Sequence, residues 1–273
     1  MTRAAVEARL AAHPVEGTPR QMRASFEALM SQDAPPGTPF EREGVPGLRF
    51  GTGSDAIWLH GGGYVFGSSR SHAAAAAYLA KVSGYKIWVP DYRLAPEAVW
   101  PAQYEDAAAV DESFEKPVPV IGDSAGGHLA LNLARSAPRC VSALVLISPN
   151  TDRSGLSQTR QRNSTRDLMN SDRDDTALGT TAMAPLAHTS VQASPLLGDL
   201  SALPPIWITA STHEVLLDDT LMLIRAMGLA GASVDAQIRK GLFHLWPLWP
   251  TQLKCATDTL DAAARFLKAH RPS

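Results

Sequence analysis

The spacing of apolar positions changes several times along the chain. In residues 1–32 it is helical, with Phe26, Leu29 and Met30 on one face and a break at His13-Pro14. This predicts one or two short amphipathic helices. Asp33-Ala34-Pro35-Pro36-Gly37-Thr38-Pro39 reads as a linker or turn. From about residue 45, short apolar runs alternate with longer segments of helical period. Strands are expected at 56–59, 86–89, 118–121, 141–147, 205–210 and 233–238. Helices are expected at 72–82, 102–114, 124–135, 218–231 and 251–268, with Leu221, Ile224 and Leu229 of the fourth facing inward and glycine ending it. Such alternation predicts a mostly parallel sheet with helices on both faces, wound by right-handed crossovers.

Residues 150–193 interrupt this rhythm. The segment is polar, rich in Arg and Asp, and poor in β-branched residues. It is either a solvated surface insertion or part of a lid. Its exit after a central strand favours the lid, because loops at that sheet edge border the ligand crevice.

Composition narrows the classes. The 273 residues suffice for one large α/β domain, and 45% apolar against 19% charged content argues for a sizeable core. A net charge of −2 without a basic stripe argues against nucleic acid and against an anionic membrane surface. No apolar run reaches the ~20 residues of a membrane span, and residues 1–10 lack the apolar core of a signal peptide, so a cytoplasmic location is expected. The two cysteines, Cys140 and Cys255, lie far apart and are expected as free, mostly buried thiols.

The candidate chemistry centres on Gly122-Asp123-Ser124-Ala125-Gly126-Gly127, between a predicted strand and a predicted helix. Alone, Gly-x-Ser-x-Gly is compatible with an ordinary turn. Between strand and helix it predicts a nucleophile elbow, a strained turn that lifts a serine hydroxyl into a cleft at a helix N-terminus. A serine needs a base and a group to orient that base, which in this arrangement follow in the order serine, acid, histidine. His244, in Gly241-Leu242-Phe243-His244-Leu245-Trp246 between the last strand and last helix, is the expected base. His213 is also late in the chain. His13, His72 and His188 are expected at the surface, His270 in the tail, and His128 as packing. The acid is expected after strand 205–210, where Glu214, Asp218 and Asp219 are candidates. Glu214 comes first after the strand and is favoured; the aspartates are explained as caps in a first helical turn. His213-Glu214 does not open a zinc motif, since position 217 is Leu217.

Acyl transfer also needs fixed N–H donors for a developing oxyanion. Ala125 supplies one. His60-Gly61-Gly62-Gly63-Tyr64, after strand 56–59, is expected to supply others from Gly61 and Gly62, with Gly63 shaping the turn and His60 supporting the loop. No Gly-Lys-Ser/Thr follows, so a phosphate cradle is disfavoured.

Together with Asp91-Tyr92-Arg93-Leu94-Ala95-Pro96-Glu97, and Ser194-Pro195-Leu196-Leu197 before Leu203-Pro204-Pro205, these motifs resemble the hormone-sensitive-lipase-like branch of the α/β-hydrolase superfamily, the bacterial family IV esterases. The resemblance runs from about residue 55 to the end. It implies an α/β-hydrolase fold with a helical cap: residues 1–45 as an N-terminal cap segment, 46–273 as the catalytic domain, and a cap insertion at about 150–193. It implies a serine carboxylester hydrolase acting through an acyl-enzyme on short- to medium-chain esters, with catalytic Ser124, Glu214 and His244, oxyanion donors Gly61, Gly62 and Ala125, and no cofactor or metal. The family's acid is more often aspartate at the position of Glu214. Tyr64, Phe66 and the capping segments are expected to wall the acyl pocket. The stretch 214–219 with Phe243-His244-Leu245-Trp246 is also similar to bacterial hydrolases of lactones and acetylated compounds, so a lactone hydrolase with the same triad is an alternative. A ligand-binding protein that kept the fold without the chemistry is a weaker one. A small-molecule ester is the expected partner, and a homodimer is left open.

Overall fold

The computed structural model describes residues 3–137 and 140–271. Two helices open the chain, α1 (Arg3–Ala12) and α2 (Pro19–Met30). Thr18 caps α2 in a reciprocal pair with Gln21, and Pro19 takes the first helical position, where its missing N–H costs nothing. Next come β1 (Thr38–Arg42), β2 (Val45–Phe50), β3 (Ser54–Leu59), α3 (Ala73–Ser83), β4 (Tyr85–Pro90), α4 (Ala102–Glu112), β5 (Val118–Asp123), α5 (Ala125–Ser136) and β6 (Val141–Ile147). The insertion holds α6 (Thr159–Asn163) and α7 (Asp172–Met183). The alternation then resumes with β7 (Ile206–Ser211), α8 (Leu217–Leu229), β8 (Val234–Arg239) and α9 (Lys254–Ala269).

The described residues build an eight-stranded sheet in the order β1-β2-β4-β3-β5-β6-β7-β8, parallel from β4 to β8. Its central strands are buried on both faces, as their continuous apolar runs require. Alternate residues of one strand feed two separate cores. Ala56 and Trp58 of β3 join the core under α3 and α9; Ile57 and Leu59 join the one under α4, α5 and α8.

Three expectations change. The hairpin β1–β2 joins the sheet antiparallel to β4, so the sheet begins at Thr38 where a linker was expected. Its two-residue turn, Glu43-Gly44, has positive φ at both positions, the conformation that matches strand twist, and is the signal in the sequence. The inward face of α8 is Thr220, Leu223 and Met227, whereas Leu221 and Leu229 are exposed. Finally, His72 is fully buried beneath the elbow rather than at the surface. Both cysteines are unpaired and half-buried, and no helix of the described residues is long and apolar enough to cross a membrane.

Candidate active site

Ser124 stands between the end of β5 and the start of α5 with φ 51° and ψ −118°, a conformation that costs a non-glycine residue energy and persists only when its surroundings enforce it. They do so on both sides: the Ser124 N–H donates to the Ile147 carbonyl at 3.0 Å, and the Asn150 N–H donates to the Ser124 carbonyl at 3.0 Å. Helix α5 can start this abruptly because Gly126 has no side chain; a Cβ there would collide with the Leu59 carbonyl.

The loop after β8 carries His244 to this serine. Its Nε2 lies 2.9 Å from Ser124 Oγ, and its Nδ1 lies 2.7 Å from Glu214 Oε2. The tautomer protonated at Nδ1 satisfies both bonds: Nδ1–H donates to the carboxylate, and the hydroxyl donates to Nε2. Glu214 Oε1 accepts the Ser211 N–H at 2.6 Å, which fixes the carboxylate plane. Burial disfavours a charged imidazole. The hydrogen bond and charge of Glu214, aided by Asp167 and Asp123, outweigh it and raise His244 above its ordinary value. Desolvation pushes Glu214 above the usual carboxylate range against the pull of His244.

The other acid candidates lie elsewhere. Rather than capping their own helix, both hold the insertion. Asp218 accepts the N–H groups of Gln158 and Thr159 at the start of α6. Asp219 accepts those of Thr151 and Asp152, and pairs with Arg160 at 2.8 Å. Arg160 and Arg153 also pair with Asp175 of α7, and Asn150 donates to the same carboxylate. This buried cluster seats α7 beside the elbow. His213 has no part in the site; it borders a separate groove next to Gly241.

The glycine loop corrects one expectation. The Gly61 N–H donates to Asp123 Oδ2 at 3.0 Å and is therefore not available to a substrate. Among the described residues no acceptor faces the N–H groups of Gly62, Gly63 or Ala125, and Gly62 and Gly63 line the cavity that holds Ser124 and His244. Asp123 also accepts from Trp58 Nε1 at 2.8 Å and contacts His72 Nε2 at 3.2 Å. Burial would raise Asp123, but His72, the indole and His60 outweigh it and hold the carboxyl below its usual range. His60 stacks on Tyr92 at 4.1 Å, and its Nδ1 lies 2.9 Å from the Gly61 carbonyl; burial and the nearby His72 lower it to about 4, so it supports the loop as a neutral ring.

A cavity of about 660 Å³ opens on Ser124. Its walls come from α1, α2 and their connection, from the glycine loop with Phe66, and from the insertion between Ser164 and Thr181. Leu178 of α7 lies over Gly63: a Cβ at that position, where φ is 59°, would stand 2.7 Å from Leu178 Cδ1. Tyr64 is not a wall of this cavity. It is fully buried, with its hydroxyl 2.6 Å from His128 Nδ1.

One residue that the sequence did not single out reaches the site. Asp167, in the insertion, accepts the His244 N–H at 2.9 Å and the Val215 N–H at 3.1 Å. One donor atom from each of Asp167, Glu214 and His244 falls within 4.8 Å of the others. A cation there would have to displace the Nδ1–Glu214 bond and the amide bonds to Asp167, so the set suits proton transfer better than metal binding. Nothing local marks Asp167 among the acidic residues of the insertion.

A family model for the alpha/beta hydrolase fold matches residues 56–248. An acetyl-hydrolase of Streptomyces hygroscopicus is 32% identical over 228 residues, covering 79% of this chain and 76% of its own. An ethyl acetate hydrolase of Pseudomonas putida is 30% identical over 234 residues, covering 80% and 74%. Among solved structures, an esterase from the bacterial hormone-sensitive lipase family aligns with a TM-score of 0.91 at 26% identity over 98% of both chains.

Proposed function

Since the chain belongs to the hormone-sensitive-lipase-like esterases of the alpha/beta hydrolase family, and is thus a carboxylic ester hydrolase, we propose that it cleaves short- to medium-chain acyl esters through a serine acyl-enzyme. The observation that carries this reading is the continuous hydrogen-bond path from Ser124 Oγ through His244 to Glu214, beside amides that have no acceptor among the described residues.

In this mechanism the ester carbonyl carbon lies against Ser124 Oγ. As Oγ attacks, His244 Nε2 takes its proton, and the buried Glu214 carboxylate stabilises the imidazolium. The carbonyl oxygen becomes an oxyanion held by the N–H groups of Gly62, Gly63 and Ala125, each such donor lowering the barrier by roughly 2.7–4 kcal/mol. The positive end of α5 adds to this field. His244 returns its proton to the departing alkoxide. Water then enters and loses a proton to the same nitrogen as its oxygen attacks the acyl carbon; the bond to Ser124 Oγ breaks, Oγ takes the proton back from His244, and the acid leaves. Gly61 acts one step back, its N–H anchoring the loop to Asp123.

Helices α1 and α2 with their connection, and the insertion, serve as the cap, their apolar residues Met22, Phe26, Leu29 and Leu178 walling the acyl side. A compact acyl group is favoured by Leu178 over Gly63, and by two relatives named an acetyl-hydrolase and an ethyl acetate hydrolase. The test is a panel of p-nitrophenyl acetate, butyrate, octanoate and laurate beside small lactones, with Ser124→Ala and fluorophosphonate labelling as controls. Highest kcat/KM on the acetate or butyrate, with labelling abolished by Ser124→Ala, is expected. Ester turnover unchanged by Ser124→Ala refutes the acyl-enzyme, and faster turnover of lactones replaces the substrate class.

A further inference from the structure

The two loops that carry Glu214 and His244 follow different strands, and the bond between their side chains is only as precise as the loops' relative position. Asp167 bridges their backbones. Its Oδ1 accepts the His244 N–H at 2.9 Å, and its Oδ2 accepts the N–H of Val215, the residue after Glu214, at 3.1 Å. A third amide, Met169 N–H, donates to Oδ1 at 3.2 Å and fixes the carboxylate itself. Four residues earlier, at the end of α6, Asn163 Nδ2 donates to the Glu214 carbonyl at 2.8 Å and to the Thr212 carbonyl at 3.2 Å. The insertion thus grips the Glu214 loop by both its donors and its acceptors. Both side chains are buried, with Asp167 only 9% exposed.

Resting on the esterase reading above, we propose that Asp167 is a positioning residue: it fixes His244 against Glu214 from the insertion, and its charge stabilises the imidazolium formed in each half-reaction. Burial pushes the Asp167 carboxyl above its usual range, and the charge of His244 with the three N–H donors pulls against it; a carboxylate that accepts only N–H donors has every partner arranged for its ionised form, and charge-assisted bonds of this kind are stronger than neutral ones. Glu214 faces His244 from the loop after β7, and Asp123 acts on it from the elbow strand. From α7, Arg173, Asp174 and Asp175 share its cavity, as do His13 and Glu16 from the segment before α2. Of these other groups, only Glu214 bonds the ring, and none bridges the two loops.

The experiment compares the full-length wild-type, Asp167→Asn and Asp167→Glu proteins, with circular dichroism as a check on folding. It measures kcat and KM on p-nitrophenyl acetate from about pH 5 to pH 9. Asparagine keeps the shape and one acceptor, removes the charge, and turns an amide N–H₂ toward one of the two backbone donors. The expected result for Asp167→Asn is a fall in kcat of about ten- to a hundredfold with KM nearly constant. The acid limb of its profile should also move to lower pH, because an imidazolium with one anion fewer gives up its proton more readily. Asp167→Glu keeps the charge and should leave that limb close to the wild-type position while lowering kcat. A fall in kcat with no displacement of the limb makes Asp167 a structural strut and overturns the proposal, as does wild-type kcat in Asp167→Asn. If Asp167→Asn does not fold, Asp167→Ser, which removes the charge and retains a small acceptor, is judged by the same limb. Failure of the esterase reading looks different: the wild-type protein itself then fails to turn over the ester, or does so without Ser124.

Discussion

Replacing Glu214 by glutamine keeps its size and should nearly abolish turnover, for a reason that lies in two distances. Glu214 Oε1 accepts the Ser211 N–H at 2.6 Å, and Oε2 accepts from His244 Nδ1 at 2.7 Å, both inside a fully buried pocket. Glutamine has one oxygen for these two donors. With the oxygen on Ser211, its N–H₂ faces Nδ1, and the ring must carry its proton on Nε2, 2.9 Å from the Ser124 hydroxyl it should deprotonate. With the oxygen on Nδ1, the N–H₂ opposes the Ser211 N–H, leaving a buried donor unsatisfied at a cost of about 1–3 kcal/mol. In either case the imidazolium loses its counter-charge, worth about 4 kcal/mol for unit charges about 4 Å apart at an effective dielectric of about 20. Together these give about 5–7 kcal/mol, a fall in kcat of about four to five orders of magnitude. The assay is p-nitrophenyl acetate hydrolysis at saturating substrate, with thermal unfolding to verify the fold. Activity within about tenfold of wild type would refute both the tautomer argument and the role of the Glu214 charge.

Three further outcomes are expected. Gly63→Ala pushes a methyl to 2.7 Å from Leu178 Cδ1 and 2.8 Å from its Cβ at φ 59°, and displacing that loop should cost about 2.7–4 kcal/mol of barrier in kcat/KM; adding Leu178→Gly, which removes both atoms, should recover part of it, and no recovery refutes the contact as the cause. The kcat/KM of the wild-type protein should rise with pH, because the base acts unprotonated. Its midpoint should lie above the ~6.5 of a free imidazole, because Glu214 outweighs burial, so a midpoint below that value contradicts the assigned pair. Asp175→Asn leaves the buried Arg153 and Arg160 short of a counter-ion and should cost about 3–5 kcal/mol in denaturant unfolding. The native Asp175 carboxyl is held below its ordinary value by those arginines, despite the opposing effect of burial. The difference from wild type should therefore persist at neutral pH and narrow only below about pH 4, as the unfolded chain takes up its proton; an equal gap in strong acid refutes the ionic origin.

The alternation of apolar runs and helical periods determined the parallel part of the sheet. A strand buried on both faces must be apolar throughout, and a helix covering it must repeat near 3.6 residues. The elbow was legible because its glycines, its serine and its flanking elements are contiguous. The order of serine, acid and histidine reduced the candidate acids to three. Other features stayed hidden because their signals are weak or non-local. The hairpin β1–β2 carries few apolar residues. The stripe of α8 was misplaced because Leu221 and Leu229 match an apolar count without lying on the buried face. Choosing Glu214 by geometry, committing the Gly61 amide to Asp123, burying His72 and bringing Asp167 to the backbone of His244 all depended on the packed molecule. Each of these is a contact between segments about 30 to 80 residues apart. Local residues encode conformational preference and period, whereas which amide meets which carboxylate depends on how whole elements pack, and the sequence records that only through the sum of all its contacts.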